Sequence, residues 1–180
     1  MMDEVVLGIL MEGPQTGYEI KRTIDLSIGF FYTASFGSLY PALRRLSGQG
    51  LLAMNEAGDS KNKKIYTLLP EGRDRFLAWL SEPLSRARND HMIKIFFYDY
   101  LEKEQRLLRL AAFRGQLKAE QGKLGAVKDI VNRETEALED PQQYACRVSV
   151  LTYGIRLLDM VENWIHELEQ ENRDEGEKKR

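Results

Sequence analysis

The chain has 180 residues, 43% of them hydrophobic, and a net charge of −2: enough apolar material for one domain or two small ones, and no overall basic signature. Any nucleic-acid surface must therefore be local. One cysteine, Cys146, excludes an intrachain disulfide. No apolar run approaches the roughly 20 residues of a membrane span. Asp3 and Glu4 stand where a secretory leader would be basic, so a cytoplasmic protein is expected.

Val5, Val6, Ile9 and Leu10 mark a short helix that Gly13-Pro14 stops. Thr16-Gly17-Tyr18-Glu19 is a capping box opening a second helix, with Ile20, Ile24 and Ile28 on its buried side and Gly29 at its end. The aromatic connector Phe30, Phe31 and Tyr32 leads to residues 35–52. There Leu39, Leu43 and Leu46 recur at helical spacing, Ser35 can cap the start, and Gly48 and Gly50 punctuate the end. Pro41 is expected near the first turn, where a missing N–H costs little. The face opposite the leucines carries Gly37, Ser38, Tyr40, Pro41, Arg44 and Arg45. Small groups first and guanidinium groups after them suit a DNA major groove; an ordinary solvated helix face is the competing reading.

The period then changes. Leu51 to Met54 and Ile65 to Leu69 read as two strands of a hairpin whose loop holds Lys61, Lys63 and Lys64. Two helices, a connector and a third helix are the ingredients of a helix-turn-helix, and directly after one such a hairpin reads as a wing whose lysines neutralise phosphates. Pro70 opens a helix to about Ser81, with Phe76, Leu77 and Leu80 inward, and Pro83 to Asn89 marks a domain boundary.

The rest is helical. Ile93 to Leu101 form a dense aromatic block. Leu110, Leu117, Leu124, Val131 and Leu138 repeat at seven residues, a coiled-coil-like seam that Gly115, Gly122 and Gly125 weaken. Pro141 opens the last helix, which carries two adjacent apolar stripes. One contains Leu151, Ile155, Leu158, Val161, Ile165 and Leu168, and the other Val150, Tyr153, Leu157, Met160 and Trp164. A helix apolar on two faces needs two partners. The long helix supplies one and a second subunit is expected to supply the other, through Leu151, Ile155, Leu158, Val161, Trp164, Ile165 and Leu168. Charged residues from about Glu169 form a tail, with 174–180 fraying.

Catalysis finds no support. The two histidines, His91 and His166, fit a helix cap and a solvated position, and no phosphate loop, nucleophile motif or metal cluster appears, so no cofactor is expected. Phe97, Tyr100, Tyr153 and Trp164 are the candidates for lining an apolar pocket for a small aromatic effector, against the commoner role of aromatic residues as core. A winged helix that docks proteins without binding DNA remains the alternative function.

The first 80 residues or so resemble the PadR family of bacterial transcriptional regulators. The likeness rests on Gly8-Ile9-Leu10, Gly13-Pro14, Gly17-Tyr18-Glu19-Ile20, Gly50-Leu51, Tyr66, Leu68 and Gly72, and above all on the string Gly37 to Leu46, GSLYPALRRL. The C-terminal helices match in layout only. Leu69 departs from the threonine usual in the family, so Pro70 must start its helix without a side-chain cap. The resemblance implies a mainly α protein. Residues 1–82 form a winged helix-turn-helix with a two-stranded wing and a linking helix, 83–173 an antiparallel helical dimerisation arm, and 174–180 the tail. It also implies a homodimeric repressor on a pseudo-palindromic double-stranded operator. Tyr18, Ser38, Tyr40, Pro41, Arg44, Lys61, Lys63 and Lys64 would make the DNA contacts.

Overall fold

The structure is a computed structural model and describes residues 1–56 and 64–174. It divides into two compact units, Met1–Glu102 and Lys103–Arg180.

The first unit is built on α1 (Met2–Ile9), in which Val5, Val6, Leu7, Gly8 and Ile9 are all buried. Apolar all round beyond Asp3 and Glu4 of its first turn, it sits inside, with α3 and α4 packed on it. Gly8 is required by that packing: a β-carbon there would lie 2.7 Å from the Phe97 ring and 2.8 Å from the Phe76 ring. The capping box forms as expected. The Glu19 N–H donates to Thr16 Oγ1 at 3.3 Å and the Thr16 N–H to Glu19 Oε2 at 2.8 Å. It starts α2 (Gly17–Ser27), whose Ile20 and Ile24, with Ile28 beyond its end, have no exposed surface.

α3 (Phe36–Gly48) starts on a second box, between Ser35 and Ser38, and buries Leu39, Ala42, Leu43 and Leu46. Pro41 lies deeper than expected, inside the helix, and so deprives the Gly37 carbonyl of its intrahelical donor. Both residues are exposed, which keeps that carbonyl open to solvent.

The wing strands are β2 (Leu52–Glu56) and β3 (Lys64–Leu68), antiparallel with Met54 opposite Tyr66 and Glu56 opposite Lys64. The sheet has a third strand that the two-stranded expectation lacked. β1 (Gln15–Thr16) pairs antiparallel with β3, giving the order β1-β3-β2. Two residues are too few to show an alternating pattern, and Thr16 serves both as strand and as helix cap. Lys64 starts β3, and Lys61 and Lys63 lie outside the described residues.

α4 (Pro70–Leu80) has Pro70 at its first position, no side-chain cap from Leu69, and Phe76 and Leu80 fully buried. α5 (Asp90–Phe96) and the 3-10 turn Tyr98–Tyr100 complete this unit. The aromatic block belongs here because the Phe97 ring packs edge-on against Phe76 at 5.3 Å, and Tyr100 lies 6.0 Å from the same ring. The division of the chain therefore falls after Glu102, whereas Pro83 to Asn89 suggested an earlier one.

The second unit is a hairpin of α6 (Lys103–Glu136) and α7 (Ala145–Asp174), joined through a 3-10 turn at Pro141–Tyr144. The helices are antiparallel: Lys103 reaches the Arg173 carbonyl, Arg114 pairs with Glu162 and Glu169, and Gln121 bonds Asp159. α6 continues through all three glycines. Its seam is buried at Leu110, Phe113 and Leu117, whereas Leu138 lies past the helix end and is exposed.

The two stripes of α7 are assigned differently from the expectation. Leu158, Val161 and Ile165 are buried within this unit, on the face where Glu162 and Glu169 meet Arg114 of α6. Leu151, Ile155, Trp164 and Leu168 are half-buried. The outward stripe holds Val150, Tyr153 and Met160, each at least 60% exposed. Helical structure runs on past Glu169, which is only 2% exposed, to Asp174; residues 175–180 lie outside the described part. His166 is half-buried, not solvated, and its Nδ1 has no hydrogen-bond partner among the described residues.

Candidate nucleic-acid interface

Three elements converge on one concave face of the first unit. Tyr18, the second residue of α2, is 66% exposed. Tyr40 and Arg44 lie one turn apart on the exposed side of α3, and Lys64 is exposed at the start of β3. These four line a cavity of about 670 Å³ together with Thr16, Gly17, Glu19, Ser47, Met54 and Tyr66. Gly17 makes the meeting of α2 and α3 close: a β-carbon there would come within 2.9 Å of the Tyr40 ring. The carboxylate in the cavity is Glu19, already bound by the Thr16 N–H at 2.8 Å and the Thr16 hydroxyl at 2.7 Å. Burial pushes the Tyr66 phenol above its ordinary value, with Tyr40 adding to the rise, so it stays a neutral hydrogen-bonding wall. A phenol, a guanidinium and an ammonium are thus offered together, a donor set that matches phosphate and guanine edges.

Two more residues expected at the same surface behave differently. The Ser38 hydroxyl, though exposed, is engaged in the helix cap, donating to the Ser35 carbonyl at 2.9 Å. Pro41 is exposed on α3 but does not line the cavity. Arg45, assigned by its spacing to the exposed face, turns to α1. Its Nε donates to Asp3 at 2.9 Å and its terminal nitrogen pairs with the same carboxylate, while Arg75 adds contacts to Asp3 at 3.8 Å and Glu4 at 3.5 Å. Such a pairing over 42 residues of sequence leaves no local signal.

The residues suggested for an effector pocket are divided between the two units. Phe97 is 3% exposed and used in packing against Phe76, and the Tyr100 hydroxyl donates to Glu12. Burial, that carboxylate bond and nearby acidic charge push the Tyr100 phenol up to about 12. Tyr153, on α7, is 66% exposed. His91, expected at a helix cap, is instead the second residue of α5, whose cap position is Asn89; its backbone N–H is bonded to the Ser85 carbonyl at 2.9 Å, and burial lowers its pKa, favouring the neutral ring. One buried group has no signal in the sequence: Lys94 is 2% exposed, 3.3 Å from Glu82 and from the Pro83 carbonyl, with its ammonium 5.0 Å from the Trp79 ring centre. No group of residues able to hold a metal ion occurs among the described residues.

Helices α1 to α3, the antiparallel hairpin and α4 together define a winged helix-turn-helix. Residues 6–78 match the Transcriptional regulator PadR-like family, and residues 87–172 match Virulence activator alpha C-term. Over residues 6–78 the chain is therefore similar to the PadR-like family of transcriptional regulators. It is similar to Negative transcriptional regulator PadR of Bacillus subtilis, 28% identical over 124 residues that make up 66% of each chain. It is also similar to Probable transcriptional regulator Rv1176c of Mycobacterium tuberculosis, 32% identical over 89 residues, 48% of this chain and 47% of that protein. The chain thus spans under two thirds of the length of either relative. Both relatives are named as regulators, and the family is not an enzymatic one. Among solved structures, Bacillus subtilis PadR in complex with operator DNA is similar at a TM-score of 0.44 and 21% identity, covering 93% of this chain and 96% of that one.

Proposed function

We propose that this chain is a sequence-specific, homodimeric DNA-binding repressor acting in the cytoplasm. The observation that carries the reading is the concave face on which Tyr18, Tyr40, Arg44 and Lys64 converge. In it α3 enters the major groove, Tyr40 and Arg44 approach bases and flanking phosphates, with Ser38 and Pro41 beside them, Tyr18 meets a phosphate, and the wing lysines Lys61, Lys63 and Lys64 follow the backbone. Residues 1–82 serve as the DNA-binding domain, and within 83–173 the hairpin of α6 and α7 serves as the dimerisation arm. Repression needs only occupancy of DNA, and the Bacillus subtilis relative is named a negative regulator. Dimerisation is supported by the outward stripe Val150, Tyr153 and Met160, whose exposed apolar surface a second subunit would cover.

Two copies would occupy half-sites about one helical turn apart. Sedimentation velocity with footprinting on the DNA upstream of the coding region tests this. A dimer protecting two spaced half-sites is expected; a monomer with uniform, sequence-independent protection contradicts it. Release by a small aromatic compound belongs to the same reading, as a change in the separation of the two wings. Unaltered DNA affinity across a panel of aromatic acids removes that part alone.

A further inference from the structure

We propose that Phe36 reads the operator directly, by packing its ring against the methyl group of a thymine. The inference rests on the DNA-binding reading and adds a specificity residue to it. Phe36 is the first residue of α3 and is 45% exposed. It stands four residues before Tyr40 and eight before Arg44, so the three side chains form one row along the helix. Tyr40 and Arg44 line the concave face, and Phe36 extends their row toward the N-terminal end, which a recognition helix presents to base edges.

The ring is held in place. It stacks on Tyr40 with centroids 5.9 Å apart and planes 22° from parallel, and the Lys21 ammonium lies 5.8 Å from its centre. Lys21 is itself anchored on Asp25. A ring fixed before binding loses little freedom on contact. Packing of the helix start does not explain it either. Ala34 and Leu39 occupy the positions of the apolar staple and are 3% and 0% exposed, so that role is filled. Gly37 and Ser38 beside it are small and exposed, which makes the phenyl group the bulkiest feature of this end of α3. Base edges in the major groove offer donors and acceptors, which a phenyl group cannot pair, and a single apolar group, the C5 methyl of thymine.

The test uses the full-length chain and duplexes that the wild type selects from a random-sequence pool. Each thymidine is replaced in turn by deoxyuridine, which removes one methyl group and keeps the base pair. Affinity is read by fluorescence anisotropy for wild type, Phe36→Leu and Phe36→Ala. Expected is one thymine position per half-site where the replacement weakens wild type about fourfold, the worth of one buried methyl group. Phe36→Leu keeps part of that sensitivity and Phe36→Ala keeps none. Equal sensitivity in wild type and Phe36→Ala, or no sensitive thymine at all, overturns the inference while leaving DNA binding intact. If wild type enriches no sequence from the pool, the DNA-binding reading fails and the inference fails with it.

Discussion

Single residues decide how α2 and α3 meet. Gly17 has no side chain where a β-carbon would press on the outer end of the half-exposed Tyr40 side chain, a contact that a small shift of that ring relieves. Gly17→Ala is therefore expected to change stability by less than about 1 kcal/mol, since alanine also suits a helix better than glycine. It should weaken DNA binding about fivefold by displacing Tyr40. A thermal melt alongside anisotropy separates the two effects, and unchanged affinity would mean that Tyr40 has no part in binding. Gly8 is the opposite case. Its neighbours are the packed rings of Phe76 and Phe97, so Gly8→Ala is predicted to cost about 1–3 kcal/mol of overpacking in a urea unfolding experiment. At this scale the exposed face of α3 is legible as Tyr40 and Arg44, because both follow from helical spacing against the leucines. Arg45 is not, since its partner Asp3 is distant in sequence. Lys94 is hidden for the same reason: nothing local announces that Glu82, Pro83 and Trp79 enclose it.

Elements are legible where chemistry is local and periodic. The Thr16–Glu19 box, the Ser35 cap, the leucine stripe of α3 and Pro70 at the start of α4 all form as their residues dictate. The third strand escapes notice because two residues carry no period. On α7 both apolar stripes are visible, but their assignment depends on which side α6 covers, the side on which Leu158 and Ile165 are buried and Arg114 reaches Glu162 and Glu169. The bond from Arg114 holds the Glu162 carboxyl below its ordinary value, with Arg114 and Lys118 charge adding to the effect against partial burial. A depressed folded pKa means that the stabilisation is complete above the ordinary carboxylate value and is lost as pH falls through the folded value. Circular-dichroism melts from neutral to acid pH should therefore show a declining midpoint, with a flatter acid limb in Glu162→Gln. Identical acid limbs would show that the pair does not contribute to the hairpin's stability.

For the whole molecule, the organisation into a winged helix-turn-helix followed by a helical hairpin is readable because the hydrophobic period switches twice along the chain. The division after Glu102 is not, since it depends on Phe97 and Tyr100 packing against Phe76. The proposed dimer makes a paired prediction on α7. Met160→Glu, on the outward stripe, is expected to yield a folded monomer by sedimentation. Leu158→Glu, at a position 1% exposed, is expected to unfold the hairpin at a cost above about 3 kcal/mol. A dimeric Met160→Glu protein would move the interface elsewhere. Whether α3 and the wing form a DNA surface is decided most directly by salt-dependent anisotropy on the upstream DNA. Wild type is compared with a variant carrying Arg44→Ala, Lys61→Ala, Lys63→Ala and Lys64→Ala. Wild type should bind tightly with a steep negative salt slope. The variant should bind more weakly, its slope flattened by roughly one unit for each phosphate it no longer neutralises. The same affinity and the same slope in both proteins would contradict a DNA surface on α3 and the wing.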